Sequence, residues 1–164
     1  MKRIIVMMLF IAIGCYLMGG EIINGKKVYS EQEIMESFNG GKAVWNKFRA
    51  ENPEVEFMEL FENRDLKKAN MEGYNLIGIS FKGANMSGAK LGGADMEGCN
   101  LEDVNFYNAD LKGANLKNAN MIKANLNNTA LYKANMENAK LYLKWKSTIE
   151  KKNVDRFKFI DWER

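Results

Sequence analysis

Residues 84–98 read ANMSGAKLGGADMEG, which is three successive copies of one five-residue unit. Each copy has Ala first, a large aliphatic residue third and Gly fifth. In steps of five from Leu66 to Leu141, all 16 positions hold Leu, Met or Phe. The position two residues earlier is usually small, and it is Ala in ten of the 15 units from Ala69 to Ala139. This five-residue repeat covers nearly half of the chain.

A five-residue period does not suit an α-helix, because five residues turn a helix by about 500° and the large side chains would spiral around it. In a strand, residues two apart face the same side. The large and the small residue of each unit therefore point inward, as in a short strand. Since five is odd, the chain must bend once per unit, and so short a unit cannot bury its face alone. The sequence predicts an all-β solenoid of stacked coils.

The bend of most units holds a residue that tolerates unusual turn geometry. Gly is used first and Asn later, at Gly73, Gly78, Gly83, Gly88, Gly93, Gly98, Gly113, Asn108, Asn118, Asn128 and Asn138. We predict that these positions are the corners of the solenoid.

Units such as residues 84–88, 94–98 and 114–118 resemble the A(D/N)LXX consensus of the pentapeptide-repeat family, and the resemblance covers residues 64–143. It implies a right-handed quadrilateral β-helix with four units in each coil. The 16 units would then make about four coils, about 20 Å tall at the usual strand spacing. The narrow interior cannot take Tyr74 unless the first coil is distorted or partly open to a cap. We therefore predict that Tyr74 and Ile79 meet the segment that precedes the repeats.

The flanks of the repeats are predicted to be a helical N-terminal cap, residues 21–63, and a short C-terminal cap, residues 144–164. Ser30 with Glu33 forms a capping-box pattern, and residues 39–41, Asn-Gly-Gly, should break the helical stretch in two. Residues 45–53 resemble a lead-in found ahead of the repeats in this family. Since open sheet edges recruit other chains, a homodimer through one end of the β-helix is the alternative to caps.

The first 20 residues resemble a bacterial export segment, with Lys2 and Arg3 followed by an apolar run. Residues 12–15, Ala-Ile-Gly-Cys, resemble a lipobox, which predicts lipidation of Cys15 and a lipoprotein held at the membrane. A cleaved signal peptide and an uncleaved membrane anchor are the alternatives, although about 15 apolar residues are short for a membrane span. All three alternatives place the repeats outside the cytoplasm, in the cell envelope or secreted.

The composition argues against an enzyme. The chain has no His, which excludes Ser-His and Cys-His pairs, and Cys99 would be the one Cys left beyond Cys15. The pairs Asp95 with Glu97 and Glu102 with Asp103 are interpreted as solvated surface. We expect no catalytic residue, no cofactor and no metal. The net charge is +3, and it falls to +1 without residues 1–20 because these contain Lys2, Arg3 and no acid. No nucleic-acid partner is therefore expected.

The leading functional hypothesis is an exported, non-enzymatic module that serves a structural role or binds an unidentified protein partner at the cell envelope. The candidate contact surface consists of outward apolar residues, namely Ile77, Tyr107, Ile122, Tyr132 and Tyr142. The alternative is a DNA-mimicking protein that protects topoisomerase (gyrase), as some pentapeptide-repeat proteins do, although those are acidic and cytoplasmic. An enzyme that uses outward carboxylates ranks third.

Overall fold

The computed structural model describes residues 21–23, 26–55, 57, 59–151 and 160–163. Residues 1–20, which include the predicted export segment and the predicted lipidation site Cys15, lie outside these residues. The described elements are, in chain order, β1 (Glu21–Ile23), β2 (Lys26–Val28), α1 (Glu31–Asn39), α2 (Lys42–Glu51), β3 (Lys140–Tyr142), a 3-10 helix (Leu143–Trp145), α3 (Lys146–Glu150) and β4 (Asp161–Glu163). Strand β1 pairs with β2 in antiparallel orientation, and β3 pairs with β4 in parallel orientation.

The repeats form four ladders in which isolated parallel bridges join residues 20 apart. Every fourth unit therefore stacks on the one before, and each ladder marks one face of the solenoid. We name the faces by their large residues, which are face A (Leu66, Met86, Phe106, Leu126), face B (Met71, Leu91, Leu111, Leu131), face C (Leu76, Met96, Leu116, Met136) and face D (Phe81, Leu101, Met121, Leu141). Most units contribute one bridging residue instead of an extended strand, because the next bend follows two residues later.

The large and the small residue of each unit line the interior, as the five-residue repeat predicts. All large residues from Met71 to Leu141 are at most 1% exposed, and the small residues from Ile79 to Ala139 are equally buried. Thr129, which replaces Ala at a small position, donates its hydroxyl to the carbonyl oxygen of Phe106 at 2.8 Å. The start of the solenoid departs, because Leu66 of the first unit and Ala69 of the second are only partly buried. The predicted inward placement of both residue series is confirmed.

The corners share one backbone conformation whatever residue they hold. Every fifth residue from Lys68 to Asn138 has a positive φ between 56° and 71°. The predicted Gly and Asn corners are confirmed, and four further corners carry side chains that rarely adopt this conformation, at Lys68, Asp103, Lys123 and Lys133. The repeating bend thus determines the local backbone even where the residue disfavours it.

The neighbouring residues Gly92 and Gly93 allow a test of this strain. Gly93 has φ +63° with open space where a methyl group would stand, whereas Gly92 lies outside the left-handed region and its methyl group would be 3.8 Å from the Lys112 carbonyl oxygen. We expect Gly93→Ala to lower the free energy of unfolding by about 1 kcal/mol through backbone strain. Gly92→Ala should leave it unchanged or raise it by about 0.5 kcal/mol. Urea denaturation of both variants measures this, and equal losses would contradict it.

The inward column begins one unit before the predicted first unit. Phe61 is fully buried, and its ring lies 5.4 Å from that of Phe81, 20 residues further on. Asn63 has φ 54° and donates its backbone N–H to the Lys82 carbonyl oxygen at 2.8 Å, as later corners do with the coil above. Glu59 occupies the small position of this unit, so the unit does not match the sequence pattern of the repeat.

Helices α1 and α2 lie against the first coil. The capping box between Ser30 and Glu33 and the break between the helices, at residues 40 and 41, are both confirmed. Trp45 is fully buried and packs against Phe38 and the nearby rings of Phe48, Phe57 and Phe61. These rings extend the apolar interior beyond the repeats.

Side chains of α2 also pair with the exposed backbone of the first coil. The indole N–H of Trp45 donates to the Asn75 carbonyl oxygen at 2.7 Å, and the amide of Asn46 donates to the Gly73 carbonyl oxygen at 2.9 Å. Asn46 in turn accepts the backbone N–H of Asn75 at 2.7 Å. The Tyr74 hydroxyl reaches the Phe38 carbonyl oxygen at 3.3 Å. The predicted contact between Tyr74 and the preceding segment is confirmed.

The C-terminal residues continue the ladder of face D. Strand β4 pairs in parallel with β3, and the backbone N–H of Asp161 donates to the Ala139 carbonyl oxygen at 2.9 Å. Between the two strands, Trp145 and Ile149 are buried, and Ile160 is buried just before β4. Trp145, Ile149 and Ile160 therefore extend the core of the protein at this end.

Candidate functional site

The five predicted contact residues are divided among all four faces. Ile77 lies on face C, Tyr107 on face A and Tyr132 on face B, and their side chains are 41%, 44% and 49% exposed. Ile122 and Tyr142 lie at equivalent positions in neighbouring coils of face D, both are half-buried, and Tyr142 packs against the core. The structure therefore brings together one pair of the five.

Two further apolar residues are exposed that the pattern does not single out. Leu143 follows Tyr142 at the start of the 3-10 helix and is 48% exposed, and Val44 in α2 is 41% exposed. Lys144 lies over the rings of Tyr142 and Trp145, with 5.7 and 5.3 Å between its Nζ and the ring centroids. Leu143 could have been found from the sequence, since it stands five residues after Asn138, where the repeat would have Gly or a polar residue. The upper end of face D is thus an apolar patch bordered by a cation.

Charged residues on the faces form ion pairs between coils. Glu102 lies 3.2 Å from Lys82, 20 residues earlier, and 3.7 Å from Lys123. On face C, Lys117 lies 3.9 Å from Glu137. All of these side chains are partly exposed, so each pair contributes little to stability, about 0–1 kcal/mol. The pairs neutralise the columns of faces C and D, where opposite charges follow one another.

The polar residue before each large residue forms a second kind of ladder. Asn105 donates its side-chain amide to Asn85 at 3.3 Å, and Asn125 donates to Asn105 at 3.0 Å. On face C, Asn115 donates to Asp95 at 2.9 Å. Each side-chain oxygen also accepts the backbone N–H two residues later, as Asn105 does from Tyr107 at 3.1 Å. These side chains are therefore fixed by the register of the coils.

Members of the two outward carboxylate pairs, Asp95 with Glu97 and Glu102 with Asp103, take part in these hydrogen bonds and ion pairs. Asp95 accepts hydrogen bonds from Asn115 and from the backbone N–H of Glu97 at 3.3 Å. Glu102 is occupied by Lys82 and Lys123. Among the described residues, no group of three or more His, Cys, Asp or Glu side chains could hold a metal ion. None of the helices in the described part of the chain is long and apolar enough to span a membrane.

Arg49 and Cys99 are the titratable groups most affected by burial near the α2 contact. Arg49 donates to the Ile77 carbonyl oxygen at 2.6 Å, and its guanidinium carbon lies 4.6 Å from the centroid of the Phe57 ring. Burial lowers the pKa of this guanidinium. Its Nε has no hydrogen-bond partner among the described residues. Arg49 thus extends the contact of α2 to a third carbonyl group of the first coil.

Cys99 occupies a small interior position, where its thiol donates to the Leu76 carbonyl oxygen at 3.0 Å. Burial raises the pKa of the thiol to about 12. Because the thiolate is the reactive form, we expect iodoacetamide at pH 8 to label Cys99 at least about 100-fold more slowly in the native chain than in urea. Mass spectrometry of the peptide that contains Cys99 measures the rate. Rapid labelling of the native chain would contradict an inert, packed thiol.

Comparison with known proteins gives a consistent result for the repeats. The family described as Pentapeptide repeats matches eight copies, over residues 65–103 and 99–138. No curated protein matches the chain. Among solved structures, the chain is similar to the pentapeptide repeat protein Rfr23 from the cyanobacterium Cyanothece 51142, with 26% identity over 62% of this chain and 55% of that one, at a TM-score of 0.46.

Two further solved structures share this repeat. HetL, from the cyanobacterium Nostoc sp. strain PCC 7120 and involved in heterocyst differentiation regulation, is 23% identical over 51% of this chain and 50% of its own, at a TM-score of 0.43. A pentapeptide repeat protein of the Arabidopsis thaliana thylakoid lumen is 24% identical over 70% of this chain and 85% of its own, at a TM-score of 0.29. The chain spans about half the length of Rfr23 and HetL.

Proposed function

Because the repeat region of this chain belongs to the pentapeptide-repeat family, we propose that the protein is an exported, non-enzymatic module that binds protein partners at the bacterial cell envelope. The observation that supports this most is the separation of inward and outward positions in the repeats. Both residue series that the solenoid needs are inside, so the outward positions of all four faces are free to vary. A rigid surface with variable side chains suits binding rather than chemistry.

The finer architecture belongs to the same proposal. We infer a right-handed quadrilateral β-helix of about four coils, with residues 21–63 as its N-terminal cap and residues 144–164 as its C-terminal cap. The N-terminal cap is supported by Trp45, Asn46 and Arg49, which bind backbone carbonyl groups that no earlier coil could reach. The C-terminal cap is supported by β4, which covers the edge of face D. A dimer through this end is the competing arrangement.

The gyrase-protecting alternative receives little support from the faces. A DNA mimic needs a continuous acidic column, because duplex DNA carries a regular line of negative charge. On face C, which has the most acidic residues, Lys117 lies between Glu97 and Glu137 and contacts Glu137. The envelope module therefore remains the favoured function.

Export is tested by fractionation of a bacterial host that is labelled with palmitate and expresses either the native chain or Cys15→Ala. Loss of label and of envelope association together in Cys15→Ala supports lipid anchoring. Soluble export of both chains supports signal cleavage, and unlabelled membrane retention of both supports an uncleaved anchor. Retention of both chains in the cytoplasm would contradict export.

Protein binding is tested by photo-crosslinking in the envelope. A crosslinking residue is placed at Ile122 or Tyr142, on the apolar part of face D, and at Lys90 on face B as a matched control. A discrete adduct shared by positions 122 and 142 and missing at position 90 supports a partner on face D. Adducts no stronger than the control at both positions would argue against this surface.

A further inference from the structure

One part of face A differs from the rest of the surface in having no charged side chain. We call it the neutral surface. It comprises the outward residues of the three later units of face A, which are Asn85, Ser87, Gly88, Asn105, Tyr107, Asn108, Asn125, Asn127 and Asn128. At the nine equivalent positions, each of the other faces has four charged residues, which are Lys90, Asp110, Lys112 and Lys133 on face B, Asp95, Glu97, Lys117 and Glu137 on face C, and Glu102, Asp103, Lys123 and Lys140 on face D.

The neutral surface is fixed in place by its own hydrogen bonds. Asn85, Asn105 and Asn125 form the side-chain ladder described above, and each accepts the backbone N–H two residues later. The amide of Asn127 also donates to Asn125 at 2.9 Å. A ligand that binds here does not need to order the surface first, which removes part of the entropic cost of binding.

Groups that could bind a ligand project from this rigid base. The Tyr107 ring is 44% exposed, and the side chains of Asn108, Asn127 and Asn128 are exposed beside it. The Tyr107 hydroxyl and the amides of Asn108 and Asn128 make no side-chain hydrogen bond to any described residue. The surface thus offers one aromatic ring surrounded by amides, each of which can both donate and accept.

The chemistry of these groups excludes several classes of partner. An acidic ligand such as a nucleic acid would find no Lys or Arg among the nine residues. A peptide could not add as an extra strand, because the backbone N–H groups of Met86 and Phe106 are already bonded to Asn105 and Asn125 in the next coil. A mainly apolar partner would find only the single ring of Tyr107. Hydroxyl groups, in contrast, match amides that donate and accept.

We propose that the neutral surface binds an uncharged glycan chain, with the Tyr107 ring against the apolar face of a sugar and the amides of Asn108, Asn127 and Asn128 bonded to sugar hydroxyls. Aromatic rings suit this role because they combine apolar area with a polar tip. The absence of charge among the nine residues fits as well, because a charged group would have to lose water without gaining an ionic partner. The three units span two coil steps, about 10 Å, which fits a short glycan segment. This proposal goes beyond the proposed function, and it holds for the purified protein wherever the cell places it.

The test measures binding of the purified chain to chitohexaose, cellohexaose and maltohexaose by titration calorimetry, with polygalacturonate as an acidic comparison. We expect at least one neutral hexasaccharide to bind, with an affinity that changes less than about twofold between low and high salt because no ion pair forms. Tyr107→Ala should weaken binding at least about tenfold. Asn127→Asp, which adds a charge with little change in shape, should weaken it similarly.

Tyr132→Ala is the matched control, because Tyr132 is exposed to the same degree at the equivalent position of face B. It should bind the glycan within about twofold of the native chain, and circular dichroism should show all variants folded. Three results would overturn the proposal. These are no binding to any neutral hexasaccharide, an equal loss in Tyr132→Ala, or sedimentation that shows a Tyr107-dependent dimer in place of glycan binding.

Discussion

Phe106→Ala is expected to lower the free energy of unfolding by about 3–5 kcal/mol, the usual cost of removing a buried phenyl ring. Phe106 is fully buried and stands in the column of face A between Met86 and Leu126. The interior is bounded by backbone on all four sides, so the coils cannot collapse around the cavity without breaking the ladder between residues 105 and 125. The loss should therefore lie at the upper end of this range. Urea denaturation followed by circular dichroism measures it.

Tyr107→Ala is the control for this prediction, since it removes a similar ring from the next residue, where the side chain is 44% exposed. We expect a change of less than about 0.5 kcal/mol, as for most surface substitutions. The contrast between two adjacent aromatic residues depends only on which way they face. Similar losses for both variants would show that the assigned register of face A is wrong.

Trp45→Ala is expected to cost about 3–5 kcal/mol for the same reason, with a further loss because the Asn75 carbonyl group loses its partner. Trp45 is the centre of the aromatic cluster between α2 and the first coil, with ring centroids of Phe38 and Phe57 at 5.3 and 5.4 Å. Its removal should separate the helices from the repeats. Limited proteolysis should then cut near residues 40 and 41 before the repeats unfold.

Two variants separate packing from hydrogen bonding at this position. Trp45→Phe keeps most of the apolar volume and removes the indole N–H, so it should cost about 1–3 kcal/mol. Val44→Ala changes the preceding residue, which is 41% exposed, and should be nearly neutral. If Trp45→Ala left both stability and proteolysis unchanged, α2 would not be held by this residue, and the inferred N-terminal cap would lose its main support.

Much of the fold could be predicted from the sequence because each unit repeats the same constraint. An inward Leu, a small residue two before it and a bend two after it recur often enough to outweigh single exceptions such as Val104 and Thr129. Phe61 escapes this pattern because its unit has Glu at the small position and no neighbour on its N-terminal side. The positive φ at Lys68 and Lys133 could not be predicted from the residue type, because the repeating bend imposes it and Lys itself gives no sign of it.

Less of the candidate site could be predicted, because a surface depends on which residues become neighbours. The sequence marks Tyr107 and Tyr132 as outward, but only the 20-residue register places them on different faces. The same register turns scattered Lys and Glu residues into ion pairs, and it gathers Asn residues from three separate units on face A. Ile122 and Tyr142 are half-buried and lie in adjacent coils of face D, which residue type alone does not indicate.

The 20-residue spacing of the bridges also constrains how the gene for such a protein can change in length. Each coil contacts only the coils before and after it, so deletion or duplication of 20 residues would leave all later residues on their original faces. A change of five residues would preserve the interior but rotate everything downstream by a quarter turn. It would place charged units next to Asn85, so the residues of the neutral surface would lie on two different faces. A protein of this kind can therefore change length and keep a binding face intact only if whole coils are gained or lost.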